Sequence, residues 1–315
     1  MDSNSSGSRV LKSVANAIVG KDEVILRVFL AMLARGHILI EDIPGVGKTT
    51  LAIAFSKALT LDYNRVQFTP DILPSDLTGF SIINKDTGSM EYTPGAVLCN
   101  LFLADELNRA NSRTQSALLE VMEEGQVTVD GNTYSVPQPF FVIATQNPVG
   151  AAGTQLLPDS QMDRFMVRLT LGYPQYSDEM SLVERKQDSN LLDLVEPMLK
   201  STELESMRCE VDKIYVDKKL IGYIVDLISA TRTHPLIHLG ASPRATLALT
   251  SMSKAMAYLQ GRDYVIPDDI PPVFLDTLSH RLILKPAAAG ENATTAGILS
   301  DILTRTKEPQ VHGSK

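Results

Sequence analysis

The sequence predicts an α/β layer domain built on a parallel sheet, followed by a smaller domain of helices. Three observations carry that expectation. Five short apolar runs recur between about Val14 and Tyr173 with helical patterns between them. Strands this apolar are buried on both faces, as in a parallel sheet flanked by crossover helices. The first run leads directly into Pro-Gly-Val-Gly-Lys-Thr-Thr at 44–50, a glycine turn that opens a helix. From about Ser177 onward the strand-like runs stop, and DKKLIGYIVDLISATRT and SPRATLALTSMSKAMAYLQ show the period of amphipathic helices.

Composition sets the outer limits. At 315 residues, with 44% hydrophobic and 21% charged residues, the chain has material for one large domain and a smaller one. A net charge of -8 lacks the basic excess of a surface built to neutralise a nucleic-acid backbone, although a local basic groove can hide in an acidic total. Cys99 and Cys209 sit in unlike surroundings, which argues against a disulfide framework or thiolate metal cluster and for a reducing, cytoplasmic setting. The polar, Ser-rich opening reads as a disordered tail over residues 1–13. Neither a signal peptide nor a membrane span is expected, since no apolar run approaches the required length.

The elements then follow in order. HILI (37–40), NRVQFT (64–69), NLFLAD (100–105), FFVIAT (140–145) and MVRLTL (166–171) are the five expected strands of a nucleotide-binding domain spanning 14–174. LGYPQYSD (171–178) supplies boundary residues, an all-helical domain occupies 175–288, and 289–315 is a C-terminal extension loosened by AAAGENATT at 287–295. GQVTVDGNTYSVP (125–137) alternates about Asp130-Gly131 and predicts a β-hairpin.

The chemistry-bearing residues cluster at the ends of these runs. Gly45 and Gly47 let backbone N–H groups close on phosphate, Lys48 reaches β and γ phosphates, and Thr49 offers a hydroxyl to magnesium. Lys48 also opposes the macrodipole at a helix start, a placement that a nearby anion explains. Asp42 stands where the first glycine of the phosphate-loop pattern is expected, and its expected cost is backbone fit alone. Asp105 and Glu106 end the third run, where one carboxylate can hold magnesium and its neighbour can polarise a water. Thr145, Gln146 and Asn147 end the fourth; Asn147 either orients that water or simply forms the turn before a proline. Arg164 precedes the last strand beside Asp163, with a surface ion pair as the plain alternative. Ser242-Pro243 starts a helix, and Arg244 in its first turn opposes the macrodipole as Lys48 does, unless it too sits in a surface pair.

Together and in this order these motifs resemble an AAA+ ATPase. The stretches EDIPGVGKTT, RVQFTPDILPSDLTG, YTPGAVLCNLFLADELNRANSRTQSALLEVMEEGQVTV, ATQNP, LPDSQMDRF and GASPRA look like the MoxR family over nearly all of residues 14–285. The resemblance implies an AAA+ P-loop NTPase core with a five-stranded parallel sheet and a small all-α lid, binding ATP and Mg2+. It implies Pro44, Gly45, Val46, Gly47, Lys48, Thr49 and Thr50 as Walker A, and Asp105 with Glu106 as Walker B. Magnesium would be held by Thr49 and Asp105. Asn147 is implied as sensor 1, Arg164 as arginine finger, Arg244 as sensor 2, and Val19 with Gly20 as part of the adenine pocket. KDTGSMEYTPGAV (85–97) would be a loop inserted within the second helix, and the 125–137 hairpin a second insertion; such insertions point at a ring pore or partner face, unless they are inert excursions. A homo-oligomeric ring, a hexamer, acting on protein clients that include von Willebrand factor A domain proteins is what the family implies. A DNA translocase, a metal-chelatase motor and a nucleotide-binding regulator that hardly turns over are the competing readings; intact Glu106 and Arg164 argue against the last. Against the translocase, the 125–137 hairpin contains no Lys or Arg to track a phosphate backbone.

Overall fold

The computed structural model describes residues 6–86, 88–147, 157–188 and 190–309. Residues 6–13, expected as a disordered tail, lie in helix α1 (Ser6–Ala15), which packs on α2 (Asp22–Leu33) and α3 (Lys48–Ala58). Val10 and Val14, one turn apart, are fully buried. A Cβ on Gly7 would lie 2.7 Å from the Leu259 side chain, so the missing side chain permits the approach. A narrow apolar stripe in a Ser- and Gly-rich segment is a weak local signal; tertiary packing makes it a helix. Residues 1–5 lie outside the described residues.

The five expected runs become one parallel sheet. In chain order the first part contains β1 (Ile38–Glu41), β2 (Tyr63–Gln67), the short α4 (Pro74–Thr78), the hairpin β3 (Gly79–Ile83) and β4 (Met90–Pro94), and β5 (Leu101–Asp105). Next come α5 (Ser112–Glu124), the hairpin β6 (Gln126–Val129) and β7 (Asn132–Ser135), β8 (Phe141–Gln146), α6 (Asp159–Met162) and β9 (Val167–Leu169). The sheet order is β2-β5-β8-β1-β9 with every pair parallel. Central β5 and β8 are buried along their whole length, whereas edge strand β2 exposes Asn64, Arg65 and Gln67. A fully buried side chain such as Phe102 or Phe141 contributes about 1.5–3 kcal/mol. Register places Gln67 beside Asp105 and Glu41 beside Gln146, which sets the carboxyl ends of β1, β5 and β8 at one edge.

Both insertions are hairpins. The β6–β7 turn uses Asp130 and Gly131 at φ 50° and 79°, the left-handed pair that a two-residue turn requires. The segment at 85–97, expected as a loop, instead contributes β4, paired antiparallel with β3. Stacked Tyr92 and Tyr134 rings, 3.8 Å between centroids, pack the two hairpins together.

The remainder comprises α7 (Tyr176–Asp188), α8 (Ser201–Lys213), α9 (Lys218–Thr233), β10 (Ile237–Leu239), α10 (Pro243–Leu259), α11 (Pro271–Leu278), β11 (Ile283–Leu284), α12 (Ala287–Gly290) and α13 (Thr295–Arg305). The part expected to be all-helical thus holds a small antiparallel ladder, β10–β11. Strands of three and two residues are too short to carry a periodicity signal. Helix α13 is no detached extension: Ile298, Leu299 and Ile302 are buried and the helix packs on α9 and α11. Residues 310–315 lie outside the described residues. One hydrophobic core runs from Val10 through Leu220 to Ile302, joining the helical part to the sheet through α10 on α2 and α11 on β9. No helix among the described residues is long and apolar enough to cross a membrane.

Candidate nucleotide site

The phosphate loop leaves β1 at its carboxyl end and enters α3. Gly45 and Gly47 adopt φ of 88° and 97°, a region closed to most side chains. Lys48 opens α3, is buried, and donates from Nζ to the Asp42 carbonyl at 2.6 Å. Burial pushes its ammonium pKa down, and the negative charges of Asp42, Asp105 and Glu106 oppose that shift. Thr49 follows in the first turn, half-buried.

Asp42 does more than occupy a glycine position. Its side chain is buried; Oδ1 accepts the Ile43 N–H at 2.8 Å and Oδ2 accepts the Gly172 N–H at 2.6 Å. The carboxylate therefore pins the start of the loop to the segment that leaves β9. The expectation that Asp42 costs only backbone fit is corrected accordingly.

At the end of β5, both oxygens of Asp105 are engaged. Oδ1 accepts the Thr145 hydroxyl at 2.6 Å, and Oδ2 accepts Arg65 Nη2 at 2.7 Å and Nε at 3.2 Å. Glu106 takes φ 58°, a left-handed conformation that costs a non-glycine residue about 1 kcal/mol. Its N–H donates to the Thr145 oxygen at 2.9 Å, so one hydroxyl joins both acids to β8. Asn147 donates from Nδ2 to Glu106 Oε1 at 3.2 Å, and Asn108 holds the Asn147 backbone. Glu106 Oε2 is buried without a hydrogen bond; Arg109 Nη1 approaches to 3.1 Å as an ion pair outside hydrogen-bond geometry. Thr49 and Asp105 are hard oxygen donors of the kind a magnesium ion takes beside phosphate and water; both Asp105 oxygens already accept hydrogen bonds, so a metal would use their remaining lone pairs.

A cavity of about 840 Å³ lies against the loop, lined by Ile18, Val19, Pro44, Gly45, Val46 and Tyr173 among others, with Gly47 and Thr50 also at its wall. Gly20 stands beside it in a turn at φ 71°, where a Cβ would collide with the Asp178 carboxylate 2.0 Å away. Hence the Val19–Gly20 segment and α7 close the same cavity.

Arg164 and Arg244 are placed together at Glu123; neither lines the cavity against the loop, and nor do Lys48, Thr49, Asp105, Glu106 or Asn147. Arg164 Nη2 lies 3.3 Å from Glu123 Oε2, and Arg244 Nη2 is paired with Glu123 Oε1. Arg164 lines a separate cavity of about 260 Å³ with Glu120, Glu123 and Glu124. Asp163 is not its partner; it pairs with Arg281 and accepts the Ser242 hydroxyl at 2.8 Å. Ser242 in turn accepts the Arg244 N–H at 3.2 Å as helix cap. Sequence reasoning missed Arg65, Asn108, Arg109 and Glu123. A charged residue interrupting NRVQFT was the one available signal, and it marked Arg65.

Comparison with known proteins identifies the family and the fold. Residues 37–167 match the model of the ATPase family associated with various cellular activities, and residues 229–302 match an AAA lid domain. The uncharacterized protein YeaC of Bacillus subtilis is 44% identical over 96% of this chain and 94% of its own length. Chaperone MoxR1 of Mycobacterium tuberculosis is 34% identical over 96% of this chain and 82% of its own length. A crystal structure of a protein from Cytophaga hutchinsonii superposes with a TM-score of 0.89 at 38% identity, covering 97% of this chain and 95% of that one. With a phosphate loop, paired strand-end acids and a lid in these relative positions, the chain belongs to the MoxR family of AAA+ ATPases.

Proposed function

We propose that this ATPase works as a homo-oligomeric ring, a hexamer, in the cytoplasm, and spends ATP hydrolysis on remodelling partner proteins. Lys48 and the backbone N–H groups of the loop bind the β and γ phosphates, and the Val19–Gly20 segment borders the base. Thr49 and Asp105 hold Mg2+, which when bound neutralises charge on the phosphates. Glu106 polarises the attacking water and Asn147 orients Glu106 through its amide. Arg164, with Arg244 beside it, serves the nucleotide of the neighbouring subunit, where a guanidinium stabilises charge on the γ-phosphoryl group.

The observation that supports a shared site is the separation of its parts. The phosphate loop and the acids Asp105 and Glu106 lie at the carboxyl ends of β1 and β5, the two strands that flank β8, while Arg164 and Arg244 meet at Glu123 beside a different cavity. Leu247, one turn beyond Arg244 on α10, is 69% exposed, as suits a face covered by a neighbour. The test mixes two inactive proteins. Lys48→Ala keeps its arginines and Arg164→Ala keeps its loop, so mixed rings regain part of the ATPase activity. No recovery despite demonstrated co-assembly rejects the shared site.

For the client, the paired hairpins support a protein rather than a nucleic acid. Hairpin β3–β4 exposes Phe80, Ile82, Ile83 and Met90, an apolar surface. We take the clients to be proteins with von Willebrand factor A domains. Affinity capture with Glu106→Gln and ATP tests this: recovery of nucleic acid would move the protein to the translocase class, and a porphyrin-metallating partner to the chelatase class.

A further inference from the structure

The geometry points to Glu123 as a positioning residue: its single carboxylate holds Arg164 and Arg244 side by side so that both meet the neighbouring subunit's nucleotide. The inference rests on the shared-site reading above. Arg164 comes from the turn after α6 and Arg244 from the first turn of α10, elements far apart in sequence. Two guanidiniums repel, and a third, Arg281, is close enough to Arg244 to feel its charge but is itself paired with Asp163. Glu123 answers with one oxygen for each: Oε2 faces Arg164 at 3.3 Å and Oε1 pairs with Arg244. Each guanidinium meets Glu123 through its Nη2, and with five N–H donors apiece both keep donors free to meet an anion. Glu120 and Glu124 line the same cavity but neither forms a described ion pair with either arginine. The backbone on either side is fixed independently, because Asp163 is tied to Arg281 and to the Ser242 cap. What Glu123 sets is the relative placement of the two side chains.

This makes the defect of a Glu123 variant fall on the next subunit's site rather than its own. In the assembled full-length protein, Glu123→Gln lowers kcat by on the order of 10- to 100-fold, the scale of a misplaced catalytic group, while KM for ATP stays unchanged. Glu123→Asp, which keeps the charge one methylene shorter, falls between wild type and Gln and replaces Gln in every arm if Gln does not assemble. Mixed with Lys48→Ala, whose arginines and Glu123 are intact, the Glu123 variant regains activity. An unchanged kcat, or a raised KM for ATP, overturns the inference. Recovery in the Arg164→Ala plus Lys48→Ala mixture without recovery in the Glu123 mixture overturns the inference and leaves the shared site standing. Failure of both mixtures overturns both.

Discussion

The phosphate-loop side and the arginine side of this protein hold their charges in opposite ways. Around the loop, Lys48, Asp42 and Asp105 are themselves buried and held by directional hydrogen bonds: Lys48 by a backbone carbonyl, Asp42 by two backbone N–H groups, Asp105 by a hydroxyl and a guanidinium. On the other side, Arg164, Arg244 and Glu123 are held by one another, with side chains 31%, 46% and 40% exposed. Exposed pairs of this kind add little to folding stability, so what Glu123 contributes is the placement of the two guanidiniums. The first arrangement is complete within one subunit; the second has the exposure of a surface that awaits another molecule.

Substitutions can break or sharpen that contrast. The largest effect is expected at Lys48, where Ala removes the buried cation facing the phosphates and abolishes measurable ATP binding in a fluorescent-nucleotide titration. Retained affinity would mean that the loop side is not the complete half. Glu106→Gln comes next: it preserves shape and binding while turnover drops by roughly 10²- to 10⁴-fold, the usual contribution of a positioned base. Unchanged turnover would move that role elsewhere. Asp42→Gly converts the loop to the general pattern yet leaves the Gly172 N–H without its acceptor, at a cost of about 2 kcal/mol, read as a lower urea midpoint. A more stable variant would show that the buried carboxylate is a burden. The smallest effect is expected at Arg65, whose side chain is 41% exposed. Arg65→Gln changes kcat by no more than about fivefold, because the Thr145 hydroxyl still holds Asp105 through Oδ1; a much larger loss would place Arg65 among the groups that touch the reacting phosphates.

Local spacing explains what was legible in the sequence. Five apolar runs, Gly-Val-Gly-Lys-Thr after the first, Asp-Glu after the third and Asp-Gly within an alternating segment each encode their geometry in fewer than a dozen neighbouring residues. What escaped depends on partners far along the chain. Asp42 looked like a departure from a pattern because its reason is Gly172, 130 positions away. Glu123 sits in an acidic helix end that reads as a solvated face, and nothing nearby names Arg164 or Arg244 as its partners. Helix α1 was lost for the same cause: Val10 and Val14 gain their meaning from α2 and α3.

Helix α5 has 13 residues and so spans about 20 Å. Its first turn is bolted to the catalytic bend, since the buried Gln115 donates to the carbonyls of Leu107 and Ala110 and Asn111 caps the helix. Its last turn carries Glu123, and Gly125 then passes directly into β6. One continuous helix therefore links the bend that carries Glu106, the carboxylate that pairs with both arginines, and the hairpin β6–β7. On the proposed reading, a tilt of that helix by a client at the hairpin would move Glu106 and Glu123 as one body.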